Sequence, residues 1–477
     1  MNNIAVVTMR MFSYLIIGTI PILFGAVQSW IWSFYSLSMI AAFVLYIWLK
    51  KENVAFLITK KNFIPAILFF SYTVLFWLPL PSGIISFLSP VRYDSVLTAQ
   101  KLTNIVFEGQ TLSYSSLNAF TWWVFLLSLY CFFFVVRYLS VNKNFLMFIL
   151  LIMIGLGIIE AIYGLIQAVV PSTGVLWVDY VKDYMGNARG TFINRNHFAG
   201  FIELIWPLAL GVTIAMTDRK NSLKNALASD LLNRQALMAL CIVVLLLALV
   251  LSRSRAGIAG GIIGLVTFWY LARPNIRRIA LHTRLLMGGI VVVLSIYCLT
   301  IGVGPTVKRF LLIDDRNSRI DIWEDSLSII EDHPLGIGLR NYENVFQIYN
   351  QHSTSGKIVK YAHNDYLQLL IETGWVGFFC IIGGFVYFVG KSFRIIRQFD
   401  EKDDPMRFFL AVGAFSGIMS MAFHSLFDFN LQIPANCLYF VVLMAILSSC
   451  TEKIKSPTRY INANIKRTLL NGRRLKV

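Results

Sequence analysis

The sequence predicts an all-α polytopic membrane protein, and two features carry this prediction. Of the 477 residues, 57% are hydrophobic and only 14% are charged, whereas a soluble globular protein carries about 25% charged residues. The apolar residues also fall in blocks of roughly 17–25 residues, the length that a helix needs to cross the core of a bilayer. A membrane β-barrel would instead show alternating segments of about ten residues.

The apolar blocks predict about twelve transmembrane helices. They lie near residues 11–28, 30–49, 64–80, 119–136, 145–170, 197–216, 237–251, 256–272, 285–303, 374–393, 406–425 and 432–450. We therefore divide the chain into four parts. They are helices 1–9 with short exported loops at residues 1–303, a long helical periplasmic loop at 304–373, helices 10–12 at 374–450, and a basic tail at 451–477.

The net charge of +17 is concentrated on one side of the predicted membrane. Alternate loops hold 28 basic and 8 acidic residues, whereas the opposite set holds 14 basic and 15 acidic residues. Because cytoplasmic loops are enriched in Lys and Arg, this pattern predicts that both termini are cytoplasmic. The excess charge then orients the protein and contacts anionic lipid headgroups, so it does not indicate a nucleic-acid partner.

Four arginines interrupt the weakly basic exported face. Arg189 and Arg195 flank the GTFIN segment before the sixth span, and Arg253 and Arg255 occupy a short turn between the seventh and eighth spans. Charged residues at membrane depth need anionic partners, and arginine binds phosphate oxygens in bidentate pairs. The spacing predicts a diphosphate site at the bilayer surface. The alternative is that these arginines cap helix ends or reach lipid phosphates.

His363 is the candidate general base. It follows the long exported loop and precedes Asn364, a potential N-cap of a helix that ends at Gly374. Histidine has an ordinary pKa of about 6.5, so its neutral form is available near pH 7 to accept a proton. The alternative role for His363 is to cap the helix.

Two further patterns concern local structure. In the long exported loop, the apolar spacing predicts a helix with Ile320, Trp323 and Leu327 on one stripe. At the outer end of the eleventh span, His424 and Asp428 stand four residues apart. This spacing predicts either a buried hydrogen bond or a proton relay.

The sequence lacks the common metal and nucleotide motifs. It contains no D-x-D, Walker A, H-E-x-x-H or G-x-S-x-G pattern. The six cysteines lie within or at the ends of predicted spans and form no C-x-x-C pair, so we expect neither disulfides nor a zinc site. We therefore expect no metal and no cofactor.

Four segments together resemble the O-antigen ligase/polymerase superfamily. They are RGTFINRNHFAGFIELIWPLALG, LSRSRAGIAGG, RIDIWEDSLSIIEDHPLGIGLRNY and AHNDYLQLLIETGWVGF, and they span residues 189–378. Members of this family transfer undecaprenyl-diphosphate-linked glycans on the outer face of the bacterial inner membrane. The resemblance implies a GT-C-like fold and a glycosyltransferase that assembles O-antigen, as in lipopolysaccharide, or exopolysaccharide.

The resemblance also implies roles for particular residues. The loop histidine of the family matches His363, the presumed base, with Asn364, Asp365 and Tyr366 as supporting residues. The arginines expected to bind the donor diphosphate are Arg189, Arg195, Arg253, Arg255 and Arg340. The family commonly has glycine where this chain has Ala256, and this difference leaves the arginine assignments unchanged.

The implied donor is an undecaprenyl-diphosphate-linked glycan, and the acceptor is a lipid-linked repeat or lipid A core. The spacings Arg189 to Gly200 and Arg340 to Gly356 resemble those of polymerase loops and favour a polymerase over a ligase. A protein O-oligosaccharyltransferase is a related alternative. A lipid-linked glycan flippase or transporter is an alternative from another class, as is a non-catalytic assembly partner. The one-sided arginines favour an enzyme.

Overall fold

The computed structural model describes residues 2–49, 64–105, 109–176, 178, 185–216, 230–276, 314–352, 358–399 and 404–471. Within these ranges the chain forms fifteen α-helices and no β-strand. The all-α prediction is confirmed for this part of the chain. The predicted ninth span, at 285–303, lies outside the described residues.

The helices follow one another along the chain with short connections. They are α1 (Asn2–Thr19), α2 (Ser29–Leu49), α3 (Ile64–Thr73), α4 (Ser82–Leu88), α5 (Pro90–Thr103), α6 (Ser116–Leu139), α7 (Lys143–Val169), α8 (Arg195–Ala215), α9 (Asp230–Leu251), α10 (Arg255–Ile276), α11 (Asp314–Asp332), α12 (Tyr342–Tyr349), α13 (Asp365–Arg397), α14 (Pro405–His424) and α15 (Pro434–Asn471). Among the described residues, nine helices are long and apolar enough to cross a membrane: α2, α6, α7, α8, α9, α10, α13, α14 and α15. The apolar helices α1 and α3 are shorter.

Two predicted boundaries differ from the observed ones. The first span is predicted at 11–28, but α1 begins at Asn2 and ends at Thr19, before Pro21. Proline has no amide proton and does not continue a helix. The tenth span is predicted to begin at residue 374, but α13 begins nine residues earlier, at Asp365.

Helices α8 and α14 form the centre of the bundle. Almost every side chain of α8 is buried, and α8 packs on α9, α10 and α14. A buried hydrogen bond joins the two central helices, because Nδ1 of His424 lies 2.9 Å from Oε1 of Glu203. The hydroxyl of Ser420 donates to the other carboxylate oxygen of Glu203, at 3.0 Å.

Loop contacts group the helix ends into two sets. The amide of Ala188, before α8, donates to the carbonyl of Leu251, at the end of α9, at 3.0 Å. At the opposite end, the guanidinium of Arg407 donates to the carbonyl of Val141 at 3.2 Å. Each contact joins loops that the charge pattern assigns to the same side of the membrane.

Helices α11 and α12 and the first turns of α13 enclose a small core of their own. Its buried members include Ile322, Ile329, Tyr342, Phe346 and Ile371. The predicted helix is present as α11, and its stripe is partly buried: Trp323 packs against this core, whereas Ile320 and Leu327 are 39% and 54% exposed. Helix α11 has apolar residues on two faces, so spacing alone does not identify the one that packs.

A glycine clamp holds this subdomain to the membrane helix. Gly374 interrupts α13 with φ 61° and ψ −175°, as the predicted helix end requires, and the helix then resumes. The amide of Trp375 donates to the carbonyl of Pro334, and the amide of Gly338 donates to the carbonyl of Glu372. A Cβ atom at residue 374 would lie 2.3 Å from the carbonyl carbon of Leu335.

We predict that Gly374→Ala lowers the melting temperature of the purified protein in detergent. This backbone conformation is nearly exclusive to glycine, and its strain alone costs about 1–3 kcal/mol. Gly383→Ala is the matched control, because it lies on the same helix and its added Cβ meets nothing within 4 Å. Equal melting temperatures for the two variants would contradict the clamp.

Candidate active site

His363 lies in a strained backbone position at the entrance to α13. Its φ is 50°, in the left-handed region, which is uncommon for residues other than glycine. The side-chain oxygen of Asn364 accepts hydrogen bonds from the amides of Tyr366 and Leu367, each at 3.0 Å. Asn364 is therefore the N-cap, as predicted, and His363 is left outside the helix.

Asp365 and Tyr366 fasten the start of α13 to the end of α14. The buried carboxylate of Asp365 accepts from the hydroxyl of Ser425 at 2.8 Å and from the amide of Leu431 at 3.0 Å. The hydroxyl of Tyr366 donates to the carbonyl of Ala422 at 2.7 Å. Both residues thus support the position of His363, and the loop between α14 and α15 becomes its floor.

The nearest charged group to His363 on this floor is Asp428. Nδ1 of His363 lies 3.4 Å from Oδ1 of Asp428, whose side chain is fully buried. The His363 side chain is 32% exposed, whereas its Nδ1 is buried. The imidazole therefore presents Nδ1 to the carboxylate and keeps the remaining part of its ring accessible. At this distance the two groups are in electrostatic contact, without a hydrogen bond of normal geometry.

Phe429 forms the wall beside this pair. Its ring centroid lies 4.0 Å from that of Tyr361, 4.7 Å from that of His197 and 4.9 Å from that of His363. His197 is buried there, so it packs into the floor of the site.

Two further side chains contact Asp428, those of Asn196 and Arg319, and neither residue is among the predicted site residues. The amide nitrogen of the Asn196 side chain donates to Oδ2 of Asp428. Nη2 of Arg319 lies 3.9 Å from the same oxygen, and Nη1 of Arg319 donates to the carbonyl of Phe427 at 2.7 Å. Both residues lie in segments that resemble the superfamily, and this resemblance is the sequence feature that could have identified them.

The predicted pairing of Asp428 with His424 is wrong. His424 pairs with Glu203 instead, because α14 ends at His424 and the residues after it are not helical. The four-residue spacing brings side chains together only within a helix.

The environment of Asp428 keeps its carboxylate ionised. Burial by itself would raise the pKa of Asp428, but contact with His363 and the charge of Arg319 outweigh burial and hold that pKa well below its usual value. Asp428 is therefore a fixed negative charge beside the imidazole.

Polar residues of α7 hold the loop that carries Arg189. Glu160 accepts from the amide and the hydroxyl of Thr191, both at 2.7 Å. Gln167 accepts from the amide of Arg189 at 3.2 Å and donates to the carbonyl of Gly190 at 2.9 Å. Gly190 has φ 55°, and a Cβ there would lie 2.2 Å from Oε2 of Glu160. The backbone of the RGT sequence therefore packs directly against the carboxylate of Glu160.

The two predicted arginine loops lie together in the structure, but their arginine side chains differ in solvent exposure. Arg195 begins α8 and donates from Nη1 to the side-chain oxygen of Asn187 at 3.3 Å. Arg253, with φ 52°, and Arg255, at the start of α10, are partly exposed. Arg189, predicted at the surface, is only 2% exposed, and this burial lowers the pKa of its guanidinium.

Arg340 is linked to the His363 loop through hydrogen bonds. The amide of Ala362 donates to the Gln368 side chain at 3.2 Å, which donates to Glu372 at 3.0 Å, which accepts from the amide of Arg340 at 2.8 Å. The guanidinium of Arg340 stacks over the ring of Trp122, 4.6 Å from its centroid.

His333 stands at the base of the turn that carries Arg340. It is buried, with Nδ1 3.4 Å from the hydroxyl of Ser89 and Nε2 3.2 Å from that of Tyr114 and 3.3 Å from that of Tyr349. Burial, reinforced by the charge of Arg92, lowers the pKa of His333 to about 4. The residue therefore joins the first exported loop to the subdomain in its neutral form.

The carboxylates near His363 make hydrogen bonds and ion pairs with protein groups. Among the residues that the structure describes, no three His, Cys, Asp or Glu side chains are grouped to hold a metal ion. Asp428 contacts Asn196 and Arg319, and Asp365 contacts Ser425. The site is thus built as a network of ion pairs and hydrogen bonds between protein groups.

The fold and this site together define a multi-pass helical membrane protein with a histidine–carboxylate pair beside arginine-bearing loops. Residues 240–382 match the family model described as O-antigen ligase, and this match supports the O-antigen ligase/polymerase superfamily. The matched range contains Arg255, Arg340 and His363, whereas Arg195 lies before it and Asp428 after it. The comparison with curated proteins finds no match.

We predict that the stability of the protein falls between pH 6.5 and about pH 4. In this range an unfolded His333 binds a proton and the folded one does not, so stability rises with pH up to the unfolded pKa and is constant above it. The difference corresponds to about 3 kcal/mol at most.

Melting temperatures in detergent across this range test the prediction. His333→Gln removes the titrating group and should flatten the profile. His352→Gln is the control, because His352 lies at the surface, 2.6 Å from Asp325, which raises its pKa. An unchanged slope in His333→Gln would count against the assignment.

Proposed function

We propose that this protein is a glycosyltransferase that moves an undecaprenyl-diphosphate-linked glycan onto an acceptor hydroxyl at the periplasmic face of the bacterial inner membrane. The observation that carries the proposal is the pair formed by His363 and Asp428, 3.4 Å apart, at the same end of the bundle as the arginine loops. The family match at residues 240–382 supports this reaction class.

In the proposed mechanism His363 is the general base. With Nδ1 directed at Asp428, Nε2 accepts the proton of the acceptor hydroxyl. The resulting oxygen attacks the anomeric carbon of the donor sugar, and the bond between that carbon and the diphosphate oxygen breaks. Undecaprenyl diphosphate leaves, and the anomeric configuration is inverted. The donor's own diphosphate bond supplies the driving force, so the proposed reaction uses neither metal nor nucleotide.

The arginines stabilise the leaving group in this proposal. The partly exposed side chains of Arg195, Arg253 and Arg255 bind the diphosphate oxygens, together with Arg340 beside the subdomain. Arg189 is buried beneath its loop, so it adds positive charge to the site from below. Fixed guanidinium groups stabilise developing charge without reorganising during the reaction.

The proposed topology has twelve transmembrane helices in a GT-C-like arrangement, with both termini in the cytoplasm. It places residues 304–373 in the periplasm and 451–477 in the cytoplasm. The uneven distribution of Lys and Arg supports this orientation. The loop contacts join loops that this topology places on the same side.

For the acceptor, we favour a second lipid-linked repeat, which makes the protein a polymerase, over lipid A core, which makes it a ligase. The arginine-to-glycine spacings support this preference.

A transporter requires ionisable groups for its cargo inside the bundle. The two intramembrane carboxylates, Glu160 and Glu203, are instead bonded to Thr191 and His424, which supports the enzyme.

A reconstituted transfer assay tests the proposal. Purified protein in EDTA receives lipid-linked glycan from its own host, with and without lipid A core, and the products are sized. We expect a ladder of glycan lengths without lipid A core. Glycan transferred to lipid A core would identify a ligase instead. No transfer to either acceptor would turn the search to a protein hydroxyl and then to transport.

We predict that His363→Ala lowers the transfer rate at least about 100-fold, since general base catalysis contributes about 10²–10⁴-fold. Its membrane insertion and melting temperature should stay close to those of the wild type. Lys360→Gln is the matched control, because Lys360 is an exposed residue of the same loop and pairs only loosely with Glu343, at 3.6 Å. Wild-type activity in His363→Ala would refute the assignment of His363 as the general base.

A further inference from the structure

Asp428 creates a problem for a base at His363. A buried carboxylate 3.4 Å from an imidazole favours the protonated form of the imidazole. A protonated imidazole has no lone pair with which to accept the acceptor's proton. The carboxylate beside the imidazole therefore opposes its action as a base, and a positive charge next to that carboxylate reduces this effect.

Arg319 supplies that opposite charge from a different part of the chain. It lies on α11 in the exported subdomain, whereas Asp428 lies in the loop after α14. Nη1 of Arg319 donates to the carbonyl of Phe427 at 2.7 Å, and Nη2 lies 3.9 Å from Oδ2 of Asp428. The guanidinium is thus held on the far oxygen of Asp428, while His363 contacts the near one.

The other groups around His363 do not replace this charge. The titratable and charged side chains packed around it are His197 on α8, Arg319 on α11, Asp365 on α13, and His424 and Asp428 at the end of α14 and beyond. His424 is paired with Glu203, and Asn196 contributes a neutral hydrogen bond to Asp428. Arg319 is the permanent cation in contact with Asp428 among the described residues.

We infer that Arg319 is a positioning residue that offsets the charge of Asp428 and so supports the action of His363 as a base. The inference rests on the proposed function. In this arrangement Asp428 contacts the ring, and Arg319 reduces the electrostatic effect of that contact. It also makes the base dependent on the docking of the subdomain, because Arg319 reaches the site only from α11.

The pH dependence of the transfer rate tests this role. In Arg319→Gln the carboxylate keeps its charge and loses its cation, so the imidazole holds its proton to higher pH. The acid limb of the pH–rate profile should shift to higher pH by about 0.5–1 unit. At a fixed pH on that limb the rate then falls about three- to tenfold. The rate on the alkaline plateau should change little.

Two further variants serve as comparisons. Arg319→Lys retains the positive charge and should keep the acid limb close to its wild-type position. Lys360→Gln removes an exposed charge from the His363 loop without touching Asp428, so its acid limb should not move. A shift in Arg319→Gln, with these two profiles unchanged, would support the inference.

Several results would overturn it. An equal loss of rate at every pH would show that Arg319 only maintains structure. A raised KM for the lipid-linked donor, with the acid limb unmoved, would make Arg319 a donor-binding residue. His363→Ala separates the two levels of the argument. If that variant is fully active, the proposed base is refuted, whereas an inactive His363→Ala with an unmoved limb in Arg319→Gln refutes only the role of Arg319.

Discussion

The buried carboxylate of Asp428 is the constraint on which the site depends. An isolated ionised carboxylate inside a protein costs several kcal/mol, and this cost is offset only when hydrogen bonds and opposite charges surround it. Here the compensating groups come from three places distant in sequence, namely Asn196 on α8, Arg319 on α11 and His363 before α13. Satisfying this one group therefore requires the helix bundle, the subdomain that contains α11 and the loop after α14 to meet at one point.

A second principle of the structure is that polar residues within the membrane helices hold the loops at one end of the bundle. Glu160 and Gln167 on α7 bind the backbone of the loop that carries Arg189. Glu203 on α8 pairs with His424, directly before the loop that carries Asp428. Ionisable residues inside a bundle are expensive and are usually paired. In this protein they give irregular segments a fixed position at one end of the bundle.

Much of the architecture could be predicted from the sequence because it depends on local rules. Hydropathy identifies spans, an Asn at a helix start caps it, and Gly374 ends a helical segment where a left-handed backbone is needed. The place of His363 at a loop-to-helix boundary could also be predicted, since Asn364 caps the helix that follows it. The local rules failed where tertiary packing decides.

The failures have specific physical causes. The predicted pairing of His424 with Asp428 extended helical spacing beyond the end of α14. Helix α11 presents two apolar faces, and only the packing of α12 and α13 selects the one that contains Ile322. Arg189 is buried because the backbone of its loop is held against α7, where Gly190 and Thr191 contact Glu160. No spacing rule predicts such a contact. Arg319 gains its role only when the subdomain meets the loop after α14.

The spacing of these contacts along the chain sets the order in which the site is completed during synthesis. Glu160 and Thr191 are 31 residues apart, so the first arginine loop can fold onto α7 soon after both have left the ribosome. Asn196 and Asp428 are 232 residues apart. The floor beneath His363 is therefore built only after α14 has entered the membrane. A nascent chain can therefore hold the loop of Arg189 in place while the contacts around His363 are still unformed, and these contacts are completed only at the end of insertion.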